Sequence, residues 1–265
     1  MDTSDAVPGL TSKPAWLDGP LTAFDIETTG VHPKTDRIVT AVVVHWDPQG
    51  AVKTREWVAD PGVEIPESAA AIHGITTAHA REAGVKAPVV VRGIVEELSR
   101  LTADGTPLVV FNAPFDLTML SAEAERYDIE FKVPSRVIDP SVLDKHLDRY
   151  RKGLRRLQPT CEHYGVELTA EDAHDAREDA LGAMRLAWVL GSRGRVIRRA
   201  RSDAEAHALA ELEEEWAGVR QDLDALHAAQ ARWYRASMVG LREHFLETGK
   251  RSEAAEVTYD WPSTP

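Results

Sequence analysis

The chain of 265 residues contains a single cysteine, Cys161, so no internal disulfide can staple the fold. A reducing, cytoplasmic setting is expected, with Cys161 as a buried structural thiol. No apolar run approaches the roughly 18 residues that a membrane helix needs, so no membrane association is expected. The first residues, "MDTSDAVPGLTSKPAW", have neither a cationic start nor an apolar core and do not read as a signal peptide. Positive charge is in the minority: 31 Lys and Arg stand against 43 Asp and Glu, a formal net charge of −12. A protein that held long nucleic acid by overall charge would be basic. Any nucleic-acid substrate must therefore be drawn by local basic patches or by bound cations. There is no internal repeat, no low-complexity tract, and no polymerase, helicase or ligase module.

What is present is an alternation of strand and helix patterns. Residues 1–19 read as a flexible lead-in. "LTAFDIE" is a strand, and "RIVTAVVVHW" and "AVKTREWVAD" flank the turn sequence "DPQG" as a hairpin. "PESAAAIHGITTAHAREAG" holds two short helices broken near Gly74, and "APVVVRGIVEELSRL" has apolar residues at helical spacing. "LVVFN" is a buried strand, followed by a helix with Pro114 in its first turn, and "SRVID" is a short strand followed by more helices. This order predicts an α/β layered domain over 20–192. A helical extension is expected over 193–248, helix throughout from about Val196, and a flexible tail over 249–265. Trp46, Trp57 and Trp188 are expected in the core.

Within the first strand, "FDIETTG" places Asp25 and Glu27 on one face and Phe24 and Ile26 on the other. Two carboxylates about 4 Å apart repel by about 4 kcal/mol at the effective dielectric of a near-surface site. Either one takes a proton or a cation sits between them. "ETTG" ends the strand, so the pair lies at its carboxyl end, where open α/β sheets bind ligands. A D-x-E pair also occurs as a solvated strand edge. In "FNAPFD", Asp116 falls in the first turn of a helix, where the helix dipole alone suits an acid, and Asn112 reads equally as a capping residue. In "HDAREDALGAMRLAWVL", Ala176, Ala180, Ala183, Ala187 and Leu190 mark a packed helix face, and Asp179 lies along it. His174 is five residues earlier, about 140° around a helix, so it belongs to the loop entering the helix, above the same site.

Taken together, "FDIETTG", "FNAPFD" and "HDAREDA" resemble the three motifs of the DEDDh group of 3′–5′ exonucleases, in order, from about Leu21 to Gly191. "IHGIT" also resembles the family's segment between the first two motifs. The resemblance implies an RNase H-like fold, a mixed five-stranded sheet flanked by helices, with the C-terminal helical extension outside the shared core. It implies two divalent cations, Mg²⁺ or Mn²⁺, with Asp25, Glu27 and Asp179 on one, and Asp25 and Asp116 on the other. His174 is the implied general base. For the substrate, Thr28 and Thr29 are expected to offer backbone N–H groups, and His73 and Asn112 to meet the terminal sugar or phosphate. Phe115 is expected under a base or in the core. The expected partner is a single-stranded or frayed 3′ end of nucleic acid, with DNA as the expected substrate and RNA trimming as the rival.

The basic run "KHLDRYRKGLRR" carries Lys145, Arg149, Arg151, Lys152, Arg155 and Arg156 and is expected to touch the nucleic-acid backbone. Over 203–248, Leu209, Leu212, Trp216, Val219, Leu223, Leu226 and Trp233 recur at spacings of three and four, broken by the polar Gln230. This seam either folds back on the catalytic domain or pairs with a second copy or a DNA polymerase. A rival of another class follows: an assembly subunit that works through this tail. Deletion from about 203 onward is expected to leave short-oligonucleotide cleavage largely intact, because every motif acid lies before it.

Overall fold

The computed structural model describes residues 13–168, 175–197 and 202–264. Its framework is a mixed sheet built from β1 (Leu21–Thr28), β2 (Ile38–Trp46) and β3 (Val52–Asp60), which form an antiparallel meander. Two short helices follow, α1 (Glu67–His73) and α2 (Thr77–Ala83), then β4 (Val85–Lys86) and α3 (Ala87–Thr102). The chain continues through β5 (Leu108–Val109), α4 (Ala113–Arg126), β6 (Val137–Ile138), α5 (Pro140–Leu147), α6 (Leu157–Tyr164) and α7 (Ala176–Ser192). Beyond these come α8 (Asp203–Val219), α9 (Leu223–Glu247) and α10 (Arg251–Glu256). The sheet order is β4-β3-β2-β1-β5-β6, with β5 and β6 parallel to β1. It therefore has six strands where five were expected. The extra one is β4, two residues paired to the end of β3, too short to leave a periodic pattern.

Two hydrophobic layers sandwich the sheet. Phe24 and Ile26 of β1 face α3 and α4 with Val43, Ile94, Leu98, Leu117 and Leu120. Leu21 and Ala23 face the other way, toward α5, α6 and α7, with Leu143, Ala180, Ala183, Ala187 and Leu190. The alternation of β1 thus continues the Leu21–Ala23 face into Asp25 and Glu27 and aims both acids at α7. The antiparallel register with β2 shifts between Glu27 and Thr28, so pairing is interrupted where the acids end. Cys161 is buried against α7, and its surroundings push the thiol up to about 12, which makes it an inert core group.

Several expectations about the chain ends are corrected. Of the lead-in, the described part is packed: Trp16 and Leu17 are buried, and the Trp16 indole N–H donates to the Arg220 carbonyl. The tail is packed too. Trp261 is 8% exposed and joins the layer of α3 and α4, and Thr264 bonds Thr118 through its backbone N–H. Trp188 is 41% exposed, with the Lys13 ammonium over its ring, because it lies off the alanine face of α7. The extension is two main helices broken at Arg220–Asp222, and Val196 and Ile197 precede them as extended chain; the Ile197 N–H donates to the Leu147 carbonyl.

The heptad-like seam folds back on the domain. Trp216 and Leu226 are fully buried in the α5–α7 layer, with Leu212, Val219, Leu223 and Trp233 against them. The polar break has a specific task. Strand β6 is the edge of the sheet, and α9 closes it with side chains. The Val137 N–H donates to His227 Nδ1, Gln230 Nε2 donates to the Val137 carbonyl, and the Asp139 N–H donates to Gln230 Oε1 at 2.8 Å. Deleting residues from 203 onward would strip this edge and expose the core beneath it, so the expectation of a dispensable tail does not follow from the fold.

Candidate active site

The cleft forms where three elements end near one another. Strand β1 brings Asp25 and Glu27 to its carboxyl end. Helix α7 faces that same side of the sheet, and Asp179 lies in its first turn. Asp175 caps this helix, accepting from the N–H groups of Arg177 and Glu178. Ligand oxygens of Asp25, Glu27 and Asp179 lie within 4.8 Å of one another. Helix α4 brings Asp116 from the other side. It is buried, close to the backbone N–H groups of Ile26 and of its own residue, and it lines the same cavity of about 540 Å³.

The start of α4 is fixed by an acid that the sequence reading passed over. Asp139, wholly buried at the N-cap of α5, accepts from the N–H groups of Asn112, Ala113 and Ser141 at 2.9–3.0 Å. Asn112 sits in the left-handed region, φ 64°, which an asparagine tolerates better than most residues. Gln230 Oε1 on α9 accepts from the Asp139 backbone N–H, and the Trp261 indole N–H donates to the Asp139 carboxylate at 3.3 Å, so the C-terminal segment reaches the base of the cleft through this one residue. The "DP" after "SRVI" was a readable N-cap, but nothing in the sequence tells that its side chain also spans to α4.

The electrostatics of the cleft follow from this convergence. Asp25 is held well above the usual carboxylate range, first by burial and then by Asp116, Asp179, Glu27 and Asp175. Burial, Asp179 and Asp175 push Glu27 up to about 8. Burial raises Asp116 as well. Among the described residues no ion pair reaches Asp25, Glu27 or Asp116. The donor set is all carboxylate, partly desolvated and mutually repelling, which fits a hard divalent cation.

The structure distributes the other expected residues unevenly. Asn112 and Phe115 line the cleft with the acids, and Phe115 also packs against the core. His73 lines an adjoining cavity of about 470 Å³ with Glu27 and Asp175. Its Nδ1 accepts from the Ile75 N–H, and its buried Nε2, near the Thr28 carbonyl, makes no full hydrogen bond. Thr29 does not serve as expected: its N–H donates to the Arg37 carbonyl and its hydroxyl accepts from the Arg37 N–H. The Thr28 hydroxyl donates to the Gly30 carbonyl. His174 lies outside the described residues. In the basic run, Arg151 and Arg155 turn inward onto Asp144. Lys145, Arg155 and Arg156 line the cleft beside the acids.

Comparison with known proteins agrees with this geometry. Residues 22–187 match the RNase T family model, described as exonuclease. The DNA polymerase III subunit epsilon of Treponema pallidum is 32% identical over 168 residues, which span 62% of this chain and 73% of that protein. The PolC-type DNA polymerase III of Caldanaerobacter subterraneus is 29% identical over 177 residues, 66% of this chain and 12% of that protein. Exonuclease I of E. coli, solved with a dT13 oligonucleotide, superimposes with a TM-score of 0.56 at 20% identity, covering 66% of this chain and 41% of that one. The chain thus spans less than half the length of exonuclease I and about an eighth of the PolC-type protein, and at this identity the former likeness is one of fold. The chain belongs to the RNase T exonuclease family, with its three acid-bearing motifs inside the matched stretch.

Proposed function

We propose that this protein is a metal-dependent 3′–5′ exonuclease that removes nucleoside monophosphates from DNA ends. The observation that carries the reading is the acid cluster: Asp25, Glu27 and Asp179 within 4.8 Å, with Asp116 lining the same cleft and no ion pair to Asp25, Glu27 or Asp116 among the described residues. Asp25, Glu27 and Asp179 would hold one divalent cation, and Asp25 and Asp116 would bear on a second, Mg²⁺ or Mn²⁺. Ions held there would supply an activated water and neutralise charge on the attacking and leaving oxygens.

The remaining steps belong to the chain itself. His174, preceding the Asp175 cap, takes the proton from the attacking water. A base in that position contributes about 10²–10⁴ in rate. Lys145 and Arg156, on the rim of the cleft, draw the scissile phosphate in, and Phe115 and Asn112 border the terminal nucleotide. His73, beside Glu27 in the adjoining cavity, borders the terminal sugar. The preference for DNA is supported by relatives named as DNA polymerase III proteins. These names also support work beside a polymerase, in proofreading or repair.

The test is release of mononucleotides from 5′-labelled DNA and RNA strands of equal length, with Mg²⁺ and with chelator. Stepwise shortening of the DNA strand from its unlabelled end, only with metal, is expected. Faster RNA shortening would move the substrate to RNA ends, and absence of hydrolysis with both would end the nuclease reading.

A further inference from the structure

The cleft continues past its basic rim. Lys145 and Arg155 line it and also form part of a second cavity, about 380 Å³, between α5 and the α8–α9 hairpin. His146 and Arg149 complete the α5 side, and Leu212, Trp233 and Ser237 come from the hairpin. Arg155 is spent on Asp144 and on backbone carbonyls, whereas no ion pair engages Lys145 or Arg149 among the described residues. The opposite wall is apolar and rigid. The His146 ring stacks on Trp233 at 3.6 Å and 15°. His146 is 4% exposed, yet its Nε2 and the Trp233 Nε1 have no hydrogen-bond partner. Leaving a buried polar atom unpaired costs about 1–3 kcal/mol. These atoms are closed off behind the wall, so what the cavity itself offers a ligand is the Lys145 and Arg149 cations beside the Leu212 and Trp233 side chains.

We infer that this cavity binds the single strand next to its reacting end. The strand leaves the acid cleft between α5 and the hairpin, with phosphates against Lys145 and Arg149 and a base against Leu212 and Trp233. A cationic edge beside an aromatic wall is the combination that holds single strands without regard to sequence. It also answers how a chain of net charge −12 retains a polyanion: the cations that meet the strand, Lys145 and Arg149, are gathered locally on the groove. The inference rests on the nuclease reading and adds a task for the C-terminal helices. The family match ends at residue 187, while α8 starts at Asp203, so one wall of the groove comes from outside the shared domain.

The test is equilibrium binding of a fluorescent oligothymidylate of about a dozen nucleotides to the full chain, in Ca²⁺ to slow hydrolysis. Arg149→Glu and Ser237→Glu place acids on opposite walls, both at sites that tolerate charge. Each is expected to weaken binding roughly tenfold. Arg149→Ala should lower the slope of log affinity against log salt by about one. Ser237→Glu should leave hydrolysis of the p-nitrophenyl ester of thymidine monophosphate, which reaches only the acid cleft, at the wild-type rate. Wild-type strand affinity in both charge variants, or no strand binding by the wild type, overturns the groove and leaves the nuclease reading standing. If the wild type hydrolyses neither substrate but its strand binding is lost in both variants, the nuclease reading falls and the groove remains.

Discussion

Two sets of buried acids lie side by side in this molecule, and they are resolved in opposite ways. Asp144, wholly buried on α5, receives Arg151 through two bonds of 2.9 Å, Arg155 at 2.6 Å and the Tyr164 hydroxyl at 2.8 Å. Every lone pair has a permanent partner. Asp25 and Glu27 in the cleft have no ion pair among the described residues and face other acids instead, and the cost appears as carboxyl groups held above their usual range. From sequence the two sets look alike, as single acids within apolar helices and strands. The difference lies in whether the fold supplies the counter-charge itself or leaves it to be bound. A closed set holds structure together, and an open one leaves room for a bound cation.

The comparison can be broken most decisively at the open set. Asp25→Asn, Glu27→Gln, Asp116→Asn and Asp179→Asn should each lower nuclease turnover by well over a hundredfold, roughly beyond what loss of an outer-shell partner costs at a metal site. Circular dichroism should show each variant folded. Near-wild-type turnover in saturating Mg²⁺ for any of them would remove that residue from the metal set.

Asp144→Ala should do the reverse. It leaves Arg151 buried without its partner, at a cost of about 3–5 kcal/mol. At about 2–4 °C per kcal/mol for a chain of this size, the melting temperature falls by about 10 °C. A melting temperature within a degree or two of wild type would mean that Asp144 is not a closed structural site.

A gentler difference appears with pH. The Glu27 carboxyl is raised from 4.5 to about 8 in the folded protein, so the fold binds its proton more tightly than the unfolded chain does. The associated stability is full below about 4.5 and is lost as pH rises to about 8. Without metal, Glu27→Gln should therefore match the wild type at low pH and melt several degrees higher near pH 8, and Mg²⁺ should narrow that gap. A gap independent of pH would mean that Glu27 ionises as it does in the unfolded chain.

The smallest effect is expected at the sheet edge. Gln230→Leu leaves the Val137 carbonyl and the Asp139 N–H buried without partners, at about 1–3 kcal/mol. Because Asp139 holds the start of α4, turnover should fall together with the melting temperature, and Gln230→Glu, which keeps the acceptor, should recover part of both. Loss of stability with turnover unchanged would confine Gln230 to a structural role.

How much of this was legible beforehand depends on the range of each interaction. The strand and helix patterns gave the layered fold, whereas the D-x-E pair, Asp116 after a strand and Asp179 on the alanine face each had an ordinary structural reading, and only the resemblance of the three motifs together to the exonuclease family implied the acid cluster. The fold-back of Trp216 and Leu226 was one of two readings of a heptad pattern, because the same stripe serves a core or a partner. The inward turn of Arg151 and Arg155 was hidden. A basic run looks the same whether it faces solvent or the carboxylate of Asp144, and only the fold brings that acid within reach. The role of Asp139 was hidden for the same reason, since its partners lie 26 and 91 residues away in the chain.

The closure of β6 by His227 and Gln230 has a consequence for assembly. The outward N–H and C=O groups of an edge strand ordinarily offer a template on which another strand can add. Here the Val137 and Asp139 groups are already occupied by side chains of the same polypeptide. The sheet cannot be extended on that side by a strand from a second copy or from a partner. Any assembly this protein enters over that face must dock on helices.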